Sequence, residues 1–98
     1  MQALTVIEGR VPSSKAKKLE VSYRELKNNG GIPKGIIKSY LSRDSGDSEN
    51  YKLVTLWESK KVFEKYRDSV EIPKGIELFK KLGINARMTL FEVAASVP

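Results

Sequence analysis

The feature that most limits the fold of this chain is a hydrophobic period that switches between two and about 3.6 residues. Residues 4–9, LTVIEG, alternate and are rich in β-branched side chains, which predicts a strand. Residues 13–28 then carry an apolar residue every three or four positions, the spacing of one helix face. These positions are Ala16, Leu19, Tyr23 and Leu26. Ser13 or Ser14 is expected to cap this helix, and the run NNGG at 28–31 to end it.

The second half of the chain again alternates strands and helices. Residues 36–43 and 51–58 are predicted strands, and they should pair antiparallel because only the polar stretch 44–50 joins them. Ser59 is expected to cap a helix, and Pro73 to open a second, shorter helix that Gly83 ends. The apolar residues of these helices are Val62, Phe63, Tyr66, Val70, Ile76, Phe79 and Leu82. Residues 89–95, TLFEVAA, are the last predicted strand.

The order of elements is βαββαβ, with a break in the second helix. This is the pattern of a ferredoxin-like α+β fold, in which a four-stranded antiparallel sheet carries both helices on one face. A chain of 98 residues has the common size for one hydrophobic core. We therefore expect residues 1–98 to form a single domain.

The chain contains no histidine and no cysteine, which excludes several kinds of site. Disulfides, thiol nucleophiles, thiolate metal sites, Ser-His pairs and histidine ligands for haem or zinc are all impossible within it. The acidic residues Asp44, Asp47 and Glu49 lack the spacing of a calcium loop. We predict no metal site and no cofactor.

The charge and hydropathy of the chain bear on its partners and its location. No apolar run approaches the ~20 residues that span a bilayer, and the first residues lack the order of a secretory signal. We expect a cytoplasmic protein without a membrane partner. The net charge of +6 comes from lysines spread among glutamates, which is typical of solvated helix faces. Nucleic acid is not predicted as a partner, because strand 51–58 has no glycine and strand 4–9 no aromatic residue for base stacking.

The predicted sheet has one face without helices, and strand 51–58 indicates what covers it. Neighbouring side chains of a strand point to opposite faces. We expect Val54 and Leu56 to face the helices. The outward set is then Tyr51, Leu53, Thr55 and Trp57. Because this set is strongly apolar, it needs a cover. The expected cover is a second copy of the chain, in a homodimer that encloses space for a small apolar or aromatic ligand.

Two stretches, YKLVTLWESKKVFEKYRDS at 51–69 and TLFEV at 89–93, resemble the antibiotic-biosynthesis-monooxygenase family of dimeric α/β barrels. The resemblance extends to the opening strand and to the KG that leads into the second strand. The family includes cofactor-independent oxygenases of polycyclic phenols, haem-degrading monooxygenases, and small proteins with no assigned substrate. The resemblance implies a ferredoxin-like homodimer joined through its sheets.

The haem-degrading branch of this family is similar through the same stretch, but three of its positions differ here. That branch uses a helix tryptophan where this chain has Tyr66. It also uses an asparagine on the first strand, and residues 1–10 contain none. Its histidine has no counterpart in a chain without histidine. The resemblance therefore does not imply haem degradation.

The cofactor-free branch implies a monooxygenase that acts on a small aromatic or otherwise apolar substrate. In that chemistry a phenol or quinol loses a proton, and its carbanion passes an electron to oxygen. Trp57, Tyr66 and Tyr40 are then expected to form the aromatic walls of the substrate site, and Arg87 to stabilise the anion.

The polar roles follow from no motif, so alternatives stay open. Lys38 could stabilise the anion in place of Arg87, and Glu8 or Glu92 could accept the proton. Trp57 and Tyr66 could instead fill a core or an interface. In that case the chain is a non-catalytic dimeric module that binds a ligand or serves a stress response.

Overall fold

Seven elements follow one another in the described part of the chain, residues 1–28 and 30–98 of a computed structural model. They are β1 (Ala3–Arg10), α1 (Ser13–Asn28), β2 (Ile36–Asp44), β3 (Asp47–Trp57), α2 (Lys60–Ser69), α3 (Lys74–Lys80) and β4 (Ala86–Glu92). The strands form an antiparallel sheet in the order β2-β3-β1-β4. The predicted ferredoxin-like α+β fold is confirmed.

Two strands, β3 and β4, differ from their predicted bounds by more than one residue. The stretch 44–50 was expected to be a loop, but β3 already begins at Asp47 and pairs there with Asp44. Arg10 holds this polar hairpin, since its guanidinium lies 2.9 Å from the Asp47 carboxylate and 3.4 Å from that of Glu49. The last strand was predicted at 89–95 and instead runs from Ala86 to Glu92, because β1 is its partner along exactly that length.

The prediction for the two faces of β3 is wrong. Tyr51, Leu53, Thr55 and Trp57 are buried and face the helices. Val54 and Leu56 lie on the open face, opposite Val6 and Leu4 of β1. Both sets are apolar, so alternation along the strand separates them without indicating which set faces the helices.

The helices pack on the sheet through a few large side chains. Leu19 of α1, Phe63 of α2 and Phe79 of α3 are all buried. Gly9 of β1 lets α3 approach closely, because a Cβ at this position would lie 3.0 Å from the Phe79 ring. Glycine is thus the residue that this helix contact with the central strand requires.

The start of α2 lies where the sequence predicts it. The Ser59 side chain accepts a hydrogen bond of 3.1 Å from the Val62 backbone N–H, which satisfies one of the free donors of the first turn. The predicted cap is therefore confirmed, and it sets the direction in which α2 leaves the end of β3. None of the helices in the described ranges is both long and apolar enough to cross a membrane.

Candidate functional site

A cavity of about 580 Å³ lies between the sheet and the three helices. Its existence follows from small side chains on the helix side of the sheet. Thr5 of β1, Ser39 of β2 and Thr55 of β3 line it, and Gly75 of α3 lines it from above. Larger side chains at the three strand positions would fill the space that the helices leave, whereas elsewhere in this layer Leu19 and Phe79 close the core.

Three aromatic rings form one end of the cavity. The Trp57 and Phe63 ring centroids are 5.0 Å apart in an edge-to-face arrangement. The Trp57 and Tyr66 rings are stacked, with centroids 5.5 Å apart. Met88 of β4 also lines the cavity. Rigid aromatic faces beside a thioether make a surface suited to a flat apolar or aromatic ligand.

The orientation of Trp57 is held by a hydrogen bond. Its indole Nε1–H donates to the Thr5 hydroxyl at 2.9 Å, and Trp57 is only 4% exposed. Buried indole groups need such an acceptor, because an unpaired N–H in a core is costly. The Thr5 hydroxyl on β1 therefore holds the Trp57 ring in its orientation at the aromatic end of the cavity.

A second group of hydroxyls runs across the sheet beside the aromatic end. Tyr23 of α1 donates to the Ser39 hydroxyl at 3.0 Å, and Ser39 lies 3.3 Å from the Thr55 hydroxyl. All three residues line the cavity. Among the described residues, every buried side-chain polar atom has a hydrogen-bond partner. The cavity thus combines apolar walls with one polar strip.

Tyr66 closes the cavity on the side of α2. Its hydroxyl accepts a hydrogen bond of 2.8 Å from the Lys74 backbone N–H, which ties α2 to the start of α3. Burial raises the pKa of Tyr66 above its ordinary value and outweighs the opposing effect of that hydrogen bond. The phenol is therefore neutral at physiological pH and contributes as an aromatic wall.

The structure brings together two of the four side chains expected to bind substrate. Trp57 and Tyr66 line the cavity. Tyr40 and Arg87 lie on the open face of the sheet, because their strand partners are Val54 and Glu8. Tyr40 is 57% exposed. The sheet therefore separates Tyr40 and Arg87 from the cavity that Trp57 and Tyr66 line.

The two carboxylates considered as proton acceptors also lie outside the cavity. Glu8 is on the open face, 3.4 Å from the Arg87 guanidinium and 3.5 Å from the Lys52 ammonium. Glu92 pairs with Lys60 at 3.1 Å. No Asp or Glu is among the described residues that line the cavity. Among residues 1–28 and 30–98, no group of three or more acidic side chains is placed to hold a metal ion.

The polar strip was not predicted from the sequence. The only local signal for Thr5 and Ser39 is a small hydroxyl residue inside a strand, and such residues are common on solvated faces. Tyr23 was predicted only as part of an apolar helix stripe. Its hydroxyl meets Ser39 because α1 packs on the sheet, and that packing is a property of the tertiary structure.

Comparison with solved structures places this fold among known ones. A candidate antibiotic biosynthesis monooxygenase from Deinococcus radiodurans matches with a TM-score of 0.73 at 12% identity, over 98% of this chain and 96% of that chain. SnoaB, a cofactor-independent oxygenase from Streptomyces nogalater, matches with a TM-score of 0.71 at 16% identity, over 99% and 97%. MhuD, a haem-degrader from Mycobacterium tuberculosis with two haems bound in its active site, matches with 0.70 at 21% identity, over 98% and 99%.

No protein-family model and no curated protein sequence matches the chain. The structural likeness covers nearly all of each chain, but sequence identities this low establish the fold alone. The chain has the fold of these three proteins, as the sequence resemblance implied.

The cavity residues do not fit a haem. The chain has neither the histidine nor the cysteine that commonly ligates haem iron. Both tyrosine hydroxyls of the cavity already bond to protein groups, Tyr23 to Ser39 and Tyr66 to a backbone N–H. Burial further disfavours a tyrosinate at Tyr66. Met88 lines the cavity, but in cytochromes a methionine ligand acts beside a histidine. We therefore derive no step through haem.

Proposed function

We propose that this chain is a cofactor-independent monooxygenase of a small aromatic substrate, which binds in the cavity between the helices and the sheet. The observation that carries the proposal is the aromatic end of that cavity. Trp57, Phe63 and Tyr66 form a rigid wall beside about 580 Å³ of space. The likeness to SnoaB, described as a cofactor-independent oxygenase, supports this class of reaction.

The substrate suited to this reaction is an anthrone-type phenol, which carries its own reducing electrons. Its acidic C–H bond loses a proton, and the carbanion passes one electron to O₂ to give superoxide and a carbon radical. The two combine into a C–O bond. The protonated peroxide then breaks its O–O bond and eliminates one water, which is formed from its terminal OH and the second C–H proton. A CH₂ group and one O₂ thus become a C=O group and one water.

The protein's part in this scheme is to bind, orient and exclude water. The ring of the substrate stacks against Trp57, whose orientation Thr5 holds through the 2.9 Å hydrogen bond. The hydroxyls of Ser39 and Thr55 lie on the same side of the sheet and are suited to bond a phenolic oxygen. No carboxylate lines the described cavity, so the proton leaves to solvent or to a basic group on the substrate.

A second candidate function is binding without catalysis. The observation that favours it is the lack of a carboxylate or an imidazole along the described cavity, since general bases are usually one of these groups. In this alternative the same walls hold an aromatic ligand that the protein stores, carries or senses.

Oxygen uptake with anthrone distinguishes the two functions. We expect uptake well above the rate without protein, and a loss of about tenfold or more in Trp57→Phe, which removes the stacking indole and its bond to Thr5. Tyr51→Phe is the matched control, because Tyr51 is a buried aromatic with a hydrogen bond to Glu20 but does not line the cavity. Uptake no faster than the blank, with anthrone bound, would refute the oxygenase and leave the binding function.

We also propose that the open face of the sheet joins two copies of the chain. Cross-strand pairs on this face are apolar at its centre, with Leu4 opposite Leu56 and Val6 opposite Val54. Phe91 of β4 continues the patch and is 50% exposed. A contiguous apolar area in the middle of a sheet face is typical of a protein interface. The same face of a second copy presents the same apolar side chains.

Sedimentation or light scattering tests this dimer. Val54→Glu places a charge at the centre of the face, so we expect a monomer at concentrations where the wild type is a dimer. Ser14→Glu is the control, since Ser14 is an exposed polar residue of α1, on the helix side of the sheet and away from the open face. A wild-type chain that is monomeric at tens of micromolar would contradict the proposal.

A further inference from the structure

The charged residues that line the cavity are all basic. Arg24 and Lys27 come from the last turns of α1, and Lys74 begins α3. All three side chains are on exposed residues, so they stand at the opening of the cavity. The deeper walls, by contrast, are apolar or carry hydroxyls.

These cations have little local compensation. Lys27 and Lys74 form no salt bridge within 4.0 Å among residues 1–28 and 30–98, and Arg24 has only a contact of 4.0 Å with Glu20. The adjacent groove contains Glu25 and Glu77. Glu77 pairs with Lys81 at 3.4 Å, so Glu25 is the one carboxylate of the described groove left to oppose the three cations. The opening therefore presents a net positive charge to anything that enters.

Lys38 lines the cavity as well, but its ammonium points elsewhere. Its Nζ lies 5.6 Å from the centre of the Tyr40 ring, on the open face of the sheet. The positive charge of the cavity is thus confined to the edge where α1 meets α3. On α1, Arg24 and Lys27 are three residues apart, so both side chains lie on the same helix face.

From this arrangement we infer that the ligand of the cavity is an aromatic anion. Its ring lies against Trp57, and its carboxylate or other acidic group is held at the opening by Arg24, Lys27 and Lys74. The inference rests on the proposed binding of a ligand in this cavity, and it holds whether the protein oxidises that ligand or only binds it. Two or three partly exposed ion pairs together favour an anion over a neutral analogue by about tenfold.

Equilibrium dialysis with naphthoate and its neutral amide, naphthamide, tests the inference. The two probes share a ring and nearly a shape, and they differ by one charge. We expect naphthoate to bind the wild-type protein about tenfold more tightly at low ionic strength, and the difference to shrink as salt is added. Lys27→Gln with Lys74→Gln removes two of the three cations, so it should weaken naphthoate binding about fivefold and leave naphthamide binding unchanged.

The matched control is Lys17→Gln with Lys18→Gln. It removes the same net charge from α1, but neither residue lines the cavity. If both double variants weaken naphthoate binding equally, the loss of affinity comes from the overall charge of the protein, and the inference is wrong. Equal binding of the two probes to the wild type would also overturn it, while leaving the cavity as a binding site. Binding of neither probe would refute the inference and the proposed site together.

Discussion

The hydrogen bond between Trp57 and Thr5 gives a quantitative prediction, because both partners are buried and neither has a substitute. Trp57→Phe removes the donor and shortens the side chain. The lost hydrogen bond costs about 1 kcal/mol. Phenylalanine also leaves roughly 40 Å³ unfilled, which at about 24 cal/mol per Å³ costs about 1 kcal/mol more. We expect the free energy of unfolding to fall by about 2 kcal/mol in total.

Thr5→Val tests the same bond from the other side. It keeps the shape of the side chain but leaves the indole N–H buried without an acceptor, which costs about 1–3 kcal/mol. The double variant has neither partner, so its loss should be smaller than the sum of the two single losses by about 1 kcal/mol or more.

Urea unfolding followed by far-UV circular dichroism measures the free energy of unfolding of the wild type, the two single variants and the double variant. Fluorescence is unsuitable, since Trp57 is the only tryptophan and two of the variants lack it. All four should be compared at one protein concentration, because the proposed dimer would gain stability with concentration. Additive losses, with a coupling energy below about 0.3 kcal/mol, would refute the argument that this bond fixes the indole.

Three further predictions concern the backbone and the titratable groups. Gly35→Ala should lower the melting temperature more than Gly30→Ala. Both glycines have a positive φ, but only at Gly35 would a Cβ overlap a neighbouring side chain. Equal losses of melting temperature in the two variants would contradict this argument. The hydrogen bond and charge of Arg10 lower the pKa of the Asp47 carboxyl in the folded protein. The ion pair therefore stabilises the fold at pH values above the pKa of Asp47 in the unfolded chain, and this stabilisation is lost as pH falls through the lower, folded-state pKa. Asp47→Asn should therefore destabilise at pH 7 and become neutral in acid denaturation curves, and a loss independent of pH would be inconsistent with the ion pair. Burial raises the pKa of Tyr51, so folding stability should decline as pH rises above 10, and Tyr51→Phe should flatten that decline in urea titrations.

The element order could be predicted from the sequence because it depends on local interactions. The period of apolar residues distinguishes strands from helices, and the cap at Ser59 needs only the hydroxyl and the N–H of Val62. The errors at 44–50 and 89–95 have one cause. Strand length depends on the partner strand, and both the Arg10 contact with Asp47 and the pairing of β4 with β1 join residues distant in sequence.

The candidate site could be predicted only in part, for the same physical reason. Trp57 and Tyr66 belong to the motif that carries the family resemblance, and the structure places both on the cavity. Tyr40 and Arg87 lie on the other side of the sheet, and alternation along a strand does not show which of two apolar faces the helices cover. Thr5 and Ser39 gave no signal, since their role depends on a partner from another strand or helix.

By itself, the sequence determined which segments are strands and helices, their order, and the exclusion of histidine and cysteine chemistry. The tertiary structure decided which face of the sheet the helices cover. That choice places small residues under the helices, where they leave a cavity, and leaves Leu4, Val6, Val54 and Leu56 on the open face. Which face is covered depends on the whole fold, because it is set by how well three helices pack on one face compared with how well the other face is buried. No single segment of the sequence carries that information.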